Sequence, residues 1–240
     1  MSRADGRAPD ELRPVKITRG FTTATPGSVL YESGRTKVLV TVGVEDRVPP
    51  WMQGKGKGWL TAEYSMLPGS TPDRKQRAST SHRVDGRTHE IQRLVGRSLR
   101  SVLDDQALGE RTLWIDCDVL EADGGTRTAA INGAYIAVVD ALKKHKFSKP
   151  LVRWPLKEPV GAVSVGVVGA TPVLDLDYHE DHQAAVDMNV VMTTSGKFVE
   201  VQGTGEGRPF EGDELAALLV LAQGGIDKIL ARAKQVLAGS

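Results

Sequence analysis

The 240-residue sequence predicts an α+β fold with an internal pseudo-repeat. Two observations carry this. Strand-rich stretches followed by helices occur twice along the chain, and no linker-like boundary separates the two stretches. The expectation is a single domain over residues 1–240, with no short-period repeat.

In the first stretch, Pro14–Arg19, Ser28–Glu32 and Lys37–Glu45 are short segments rich in Val, Ile, Leu and Thr. Ser33-Gly34-Arg35 between the last two is a hairpin turn signal. Trp59–Leu67 reads as a further strand. Pro68–Asp85 is polar and almost free of apolar residues, and a loop that long inside a compact domain is functional or disordered. Thr88–Leu103 places Ile91, Leu94, Val95, Leu99 and Val102 at helical spacing. Arg93, Arg97 and Arg100 share another face of that helix. Arg111–Val119 alternates as a strand does. The loop Ala122–Thr126 follows, then an Ala-rich helix, Arg127–Lys144, apolar nearly all round and therefore buried. The second stretch repeats the mixture. Val160–Val168 and Thr171–Asp177 read as a hairpin around Gly169-Ala170, and Val186–Thr194 and Lys197–Gly203 as another around Ser195-Gly196. A long helix, Asp213–Leu237, closes the chain.

Composition bounds the function classes. A formal net charge of +1 excludes a chain basic all over, so nucleic acid would have to be met by local patches. The 40% hydrophobic share is ample for a core. Cys117 is the only cysteine, so no intrachain disulfide is possible. It alternates with Leu113, Ile115 and Val119 and has no neighbouring base, which reads as a buried core thiol and not a nucleophile. The charged N-terminal segment has no apolar h-region, and no apolar run approaches the ~20 residues that cross a bilayer. The longest, around Ala134–Leu142, is interrupted by Tyr135 and Asp140. A cytoplasmic protein with no membrane partner is the expectation.

Chemistry concentrates in a strand–Asp123-Gly124-Gly125-Thr126-Arg127–helix unit. Glycines let the backbone approach an anion, and the unpaired N–H groups of a helix start point at it. Thr126 adds a hydroxyl and Arg127 a fork suited to phosphate. No Gly-Lys-Ser/Thr signature follows, so triphosphate hydrolysis is not indicated. The same residues would also make a plain left-handed turn with a solvated arginine. Arg87, after Asp85-Gly86, begins the other helix; two arginines at two helix starts would clamp one small oxyanion, and either alone is an ordinary surface residue.

Asp175, Asp177, Glu180, Asp181 and Asp187 cluster in LDLDYHEDHQAAVDMN. An Asp entering an apolar strand, as Asp187 does, must be solvated, paired or metal-bound. Two converging carboxylates suit Mg²⁺ or Mn²⁺, and one with a raised pKa would protonate a leaving alkoxide; an acidic turn is the plain alternative. His179 and His182 lack the Cys or third His of a zinc site. From Trp51 to Arg87 the chain carries seven Lys/Arg against three Asp/Glu. Arg74, Lys75, Arg77 and Arg83 in that stretch suit a phosphate backbone, or simply keep a loop soluble. Trp51, Trp59 and Tyr64 would stack on bases or sit in the core.

Together these motifs resemble the ribonuclease PH family of phosphorolytic 3′-exoribonucleases. The resemblance runs through R-A-D-G-R near the start, G-W-L-T-A-E-Y-S-M-L-P at Gly58–Pro68 and D-G-R-T-H-E-I-Q-R-L-V-G-R-S-L-R at Asp85–Arg100. It continues through C-D-V-L-E-A-D-G-G-T-R-T-A at Cys117–Ala129, E-D…D-M-N at Glu180–Asn189 and E-V-Q-G-T-G-E-G at Glu200–Gly207. It implies a fold like the second domain of ribosomal protein S5, with two βαβ-type halves, antiparallel or mixed sheets and flanking helices. It implies Arg87, Gly125, Thr126 and Arg127 as phosphate-binding positions and Asp181 and Asp187 as catalytic, metal-holding carboxylates. Arg93 and Arg97 join the basic loop as expected RNA contacts. Inorganic phosphate as co-substrate, nucleoside diphosphates as products, Mg²⁺ or Mn²⁺, the 3′ end of precursor tRNA as substrate and a homohexamer built as a trimer of dimers complete the implied set. The rival expectations are an inert RNA-binding ring subunit and a metal-dependent hydrolytic nuclease.

Overall fold

A computed structural model of the chain describes residues 3–76 and 85–239. The first sheet holds β1 (Val15–Arg19), β2 (Gly27–Ser33), β3 (Thr36–Glu45), β4 (Trp59–Met66) and β5 (Thr112–Glu121), in the order β1-β2-β3-β5-β4. Its pairs are antiparallel except β4 with β5, which run parallel and are joined through α1 (Gly86–Val102) and the short α2 (Asp105–Leu108). After β5 comes α3 (Thr126–Lys144). The second sheet, in the order β7-β6-β8-β9, is wholly antiparallel: β6 (Val160–Val168), β7 (Thr171–Leu174), β8 (Val186–Thr193) and β9 (Phe198–Gly205). A six-residue helix, α4 (Tyr178–Gln183), lies between β7 and β8, and α5 (Gly212–Ala238) ends the chain. The α+β class, the mixed sheet and the twofold recurrence of strands and helices are as the sequence predicts.

Periodicity explains most of this. Residues 113, 115, 117 and 119 of β5 are buried while Trp114, Asp116 and Asp118 face outward, the period of two of a half-buried strand. Cys117 lies in that buried row. The apolar stripe of α1 is fully buried, and Asp85 caps the helix by accepting the Thr88 N–H at 2.6 Å. Two features differ from expectation. Neither α2 nor α4 is long enough to show an apolar period. The ladder of β7 also stops at Leu174, three residues before the expected end. Asp175 takes a left-handed φ of 55°, and Asp177 caps α4 in a reciprocal pair with Glu180.

The nearly all-buried α3 packs on β2 and β3 on one side and β6 on the other, so it is the shared core of both halves. Its polar residues are satisfied. Asn132 accepts the Ala162 N–H at 2.8 Å and donates to the Ala162 carbonyl at 2.9 Å. Asp140, fully buried, is held by the Arg19 fork from β1. Removing Arg19 alone would leave that charge only Lys144 Nζ at 3.7 Å, at a cost of up to about 3–5 kcal/mol. Among the described residues no helix is long and apolar enough to cross a membrane.

Candidate active site

The two halves leave between them a cleft of about 1380 Å³. Its lining is unevenly charged. All five Lys/Arg, namely Arg35, Arg74, Lys75, Arg87 and Arg127, come from the first half, which also brings Asp73, Glu90 and Asp123; Asp181, Asp187 and Glu206 come from the second, with His179, His182 and the amides of Asn189 and Gln202. An apolar depression of about 630 Å³ between Pro9, Pro172 and Val220 of α5 lies apart from these groups.

The first wall is built at two helix starts. Gly124 and Gly125 have φ of 73° and 65°, which any side chain would resist. Gly125 is the residue before α3, and Arg127 is the second residue of that helix, as Arg87 is of α1. Thr36 fixes the turn, accepting the Asp123 N–H at 2.9 Å and donating to the Gly124 carbonyl at 2.7 Å. The buried Tyr64 hydroxyl donates to Thr126 Oγ1 at 2.8 Å, which leaves the Thr126 proton free to donate. Burial pushes the Tyr64 phenol up, so it stays a donor. Arg127 Nη1 lies 3.3 Å from both Glu90 Oε1 and Gln202 Oε1, and Gln202 Nε2 donates to the same Glu90 oxygen at 3.1 Å. Glu90 and Gln202 escaped the sequence reading. Glu90 carried a weak signal, three residues after Arg87 on the same helix. Gln202 lay inside the Glu200–Gly207 motif without a role of its own, because only the pairing of β9 with β8 sets it opposite Asn189.

The acidic stretch separates into different jobs. Asp175 is buried against Arg13, Asp177 caps α4, and Glu180 binds the Arg3 fork. Only Asp181, on α4, and Asp187, on β8, line the cleft. Burial first, then the neighbouring Asp181 charge, pushes the Asp187 carboxyl up to about 6, against the pull of Arg127 and Arg87. Asp181 is also raised, chiefly by burial. Glu206 raises both further. Asp187 Oδ1 is buried with no hydrogen-bond partner. An orphaned carboxylate oxygen beside a second carboxylate fits a hard divalent cation. No cluster of three or more His, Cys, Asp or Glu among the described residues could close around a metal. The pair therefore suits Mg²⁺ or Mn²⁺, which keep waters and share substrate phosphate oxygens, better than a closed protein cage.

The other expected positions are distributed unevenly. Arg74 and Lys75 line the cleft; Arg77 and Arg83 lie outside the described residues. Arg93 and Arg97 are exposed on α1 but outside the cleft, and Arg97 pairs with Glu200 at 2.8 Å. The helix rises 1.5 Å per residue, so Arg97 sits about 15 Å along the axis from Arg87. Trp51 and Trp59 pack edge-on at 4.9 Å away from the cleft, and Arg100 covers the Trp59 ring. His179 and His182 do line the cleft, with His182 parallel to the Tyr178 ring at 6.5 Å.

This architecture recurs in known proteins. Rice (Oryza sativa) Rrp46 superposes with a TM-score of 0.80 at 20% identity, covering 98% of this chain and 100% of that one. A chain of the Archaeoglobus fulgidus exosome with RNA bound to the active site gives 0.81 at 21% identity, covering 96% and 92%. A chain of an archaeal exosome core gives 0.74 at 20%, covering 97% and 91%. The sequence profiles of the ribonuclease PH-type 3′ exoribonuclease family match residues 11–144 as its domain 1 and residues 158–225 as its domain 2. With both profiles matched in order and the fold shared over nearly the whole length, the chain belongs to the ribonuclease PH-type 3′ exoribonuclease family.

Proposed function

We propose that this chain is a phosphate-dependent 3′-to-5′ exoribonuclease acting as a single domain over residues 1–240. The observation that carries the reading is the cleft itself: two helix-start arginines and a glycine turn face a pair of raised carboxylates, Asp187 half-buried and Asp181 at the exposed edge. Both reactants are anionic, so their approach needs fixed positive charge. Arg87, Arg127, the Thr126 hydroxyl and the first N–H groups of α3 hold inorganic phosphate. One phosphate oxygen attacks the phosphorus of the last phosphodiester. The bond from that phosphorus to the 3′-oxygen of the penultimate nucleotide breaks, and a phosphoanhydride forms. The products are a nucleoside diphosphate and an RNA shorter by one. A carboxyl near 6 still carries its proton in part at neutral pH, which suits Asp187 to protonating the departing 3′-oxygen while Asp181 carries the cation. Mg²⁺ or Mn²⁺ held at this pair would supply Lewis-acid neutralisation of phosphate charge. Because an ester is exchanged for an anhydride, diphosphates in excess drive the reverse extension.

The substrate we propose is the 3′ end of RNA, precursor tRNA foremost. The assembly follows the motif resemblance, a cytoplasmic homohexamer built as a trimer of dimers; the likeness to exosome chains supports an oligomeric assembly. Identification of the released nucleotide tests the reaction. Diphosphates released only when phosphate is present are expected; monophosphates released without phosphate would establish hydrolysis instead. The likeness to exosome chains also favours a second reading, an RNA-binding ring subunit without turnover, which predicts RNA retention with no nucleotide release at any phosphate concentration.

A further inference from the structure

The two walls of the cleft belong to different halves, so their separation must be fixed somewhere. They touch at Gly124. A Cβ there would lie 2.6 Å from the Leu176 carbonyl oxygen and 2.7 Å from the Asp177 carbonyl carbon. The turn next to Arg127 therefore rests directly on the segment that enters α4.

Arg13 spans this seam. Its Nη2 and Nε donate to the two oxygens of Asp175 at 2.6 and 3.0 Å, and its backbone N–H reaches Asp175 Oδ2 at 2.8 Å. The same guanidinium donates through Nη1 to the Asp123 carbonyl, and Nη2 lies 3.5 Å from the Gly124 carbonyl. One planar group thus holds a second-half carboxylate and two first-half carbonyls. Asp175 is the only non-glycine residue with positive φ among the described residues, and it directs the chain from β7 toward α4. Arg3 supports the same segment, forking onto Glu180 at 2.7 Å and donating to the Leu174 and Asp175 carbonyls. Neither Arg3 nor Arg13 lines the cleft, so neither meets substrate there.

We infer that Arg13 is a positioning residue that sets the phosphate-holding turn against the Asp181/Asp187 pair by bonding to both sides of the seam. The inference rests on the phosphorolytic reading of those two walls. A misplacement near 1 Å is enough to cost on the order of 100-fold in rate.

The test uses the assembled protein and Arg13→Lys, which keeps the charge but, with three donors on one nitrogen, cannot reproduce the four contacts of the planar fork. The expected result is a kcat lower by about 10- to 100-fold and a raised phosphate KM, with RNA affinity within about twofold of wild type. A calorimetric binding cycle with inorganic phosphate and Mg²⁺ needs no turnover. In the wild type each ligand is expected to tighten the other by about fivefold or more; in Arg13→Lys each still binds and the coupling is gone. Should Arg13→Lys fail to fold, Asp175→Asn is measured in the same cycle, with a smaller loss of coupling expected. Wild-type coupling in a folded variant, or no coupling in the wild type, overturns the inference. Wild-type protein that couples the two ligands yet releases no diphosphate would instead overturn the proposed reaction and leave the positioning role standing.

Discussion

The two walls of the cleft solve opposite electrostatic problems. The first half presents cations at helix starts and in a polar loop, where water can reach them and an anion can come and go. The second half presents carboxylates partly withdrawn from water, and Arg87 and Arg127 across the cleft do not bring them back to ordinary values. Burial and the mutual repulsion of Asp181, Asp187 and Glu206 outweigh the attraction of Arg87 and Arg127. A wall meant only to bind would pair its charges. Asp175 does so: burial pushes its carboxyl up, and the hydrogen bonds and charge of Arg13 more than reverse the shift. The contrast between Asp175 and Asp187 separates a carboxylate that holds the fold from one left available for chemistry or a cation.

Substitutions in the two walls should separate in their kinetics. The largest effect is expected from Asp187→Ala, with turnover down on the order of 10³-fold and phosphate affinity nearly unchanged, read by steady-state release of nucleoside diphosphate. A fully active variant would exclude Asp187 from the reaction. Arg127→Ala should act on the other parameter, raising the phosphate KM about 100-fold while RNA binding holds, because a charge-assisted hydrogen bond contributes roughly 1.5–3 kcal/mol. Normal degradation at limiting phosphate would remove Arg127 from the phosphate site.

The cost of leaving Asp187 available should appear in stability. Its folded-state carboxyl titrates near 6 instead of 3.8, so the folded state holds the proton more tightly. Stability therefore falls as pH rises from about 4 to about 6 and stays lower above that, by on the order of 3 kcal/mol. In chelator-containing buffer Asp187→Asn should be more stable than wild type at pH 8 and equal to it below pH 4. Urea denaturation at both pH values checks the sign, and a less stable Asn variant at pH 8 contradicts it. A smaller effect belongs to the basic rim. Arg74→Ser with Lys75→Ser should reduce the slope of log RNA affinity against log salt by about 1.4, near 0.7 per lost phosphate contact. Arg97→Ser, outside the cleft and paired with Glu200, should leave that slope unchanged.

The elements with long periods were legible because burial imposes the period. The buried helix α3, the alternation in β5 and the hairpins at Gly34 and Gly196 follow from apolar spacing and turn chemistry. The candidate phosphate residues were legible for a related reason: a glycine pair before a helix start is a local feature, complete within five residues. Short helices escaped, since six residues show no period, although the capping pair Asp177–Glu180 was in plain sight. The five neighbouring acids could not be sorted locally either, because Arg3 and Arg13, which take two of them, lie more than 160 residues away in the chain.

By itself, then, the sequence determined the α+β class, the order of the elements, the Gly124-Gly125 turn and the residues that resemble a family's phosphate and carboxylate positions. Tertiary structure alone decided that Glu90 and Gln202 meet Arg127, that Arg97 pairs with Glu200 outside the cleft lining, and that only Asp181 and Asp187 of the acidic cluster line the cleft with Arg87. The reason is physical. Local spacing fixes which face of an element a side chain occupies, but which face meets which depends on packing two sheets around one buried helix.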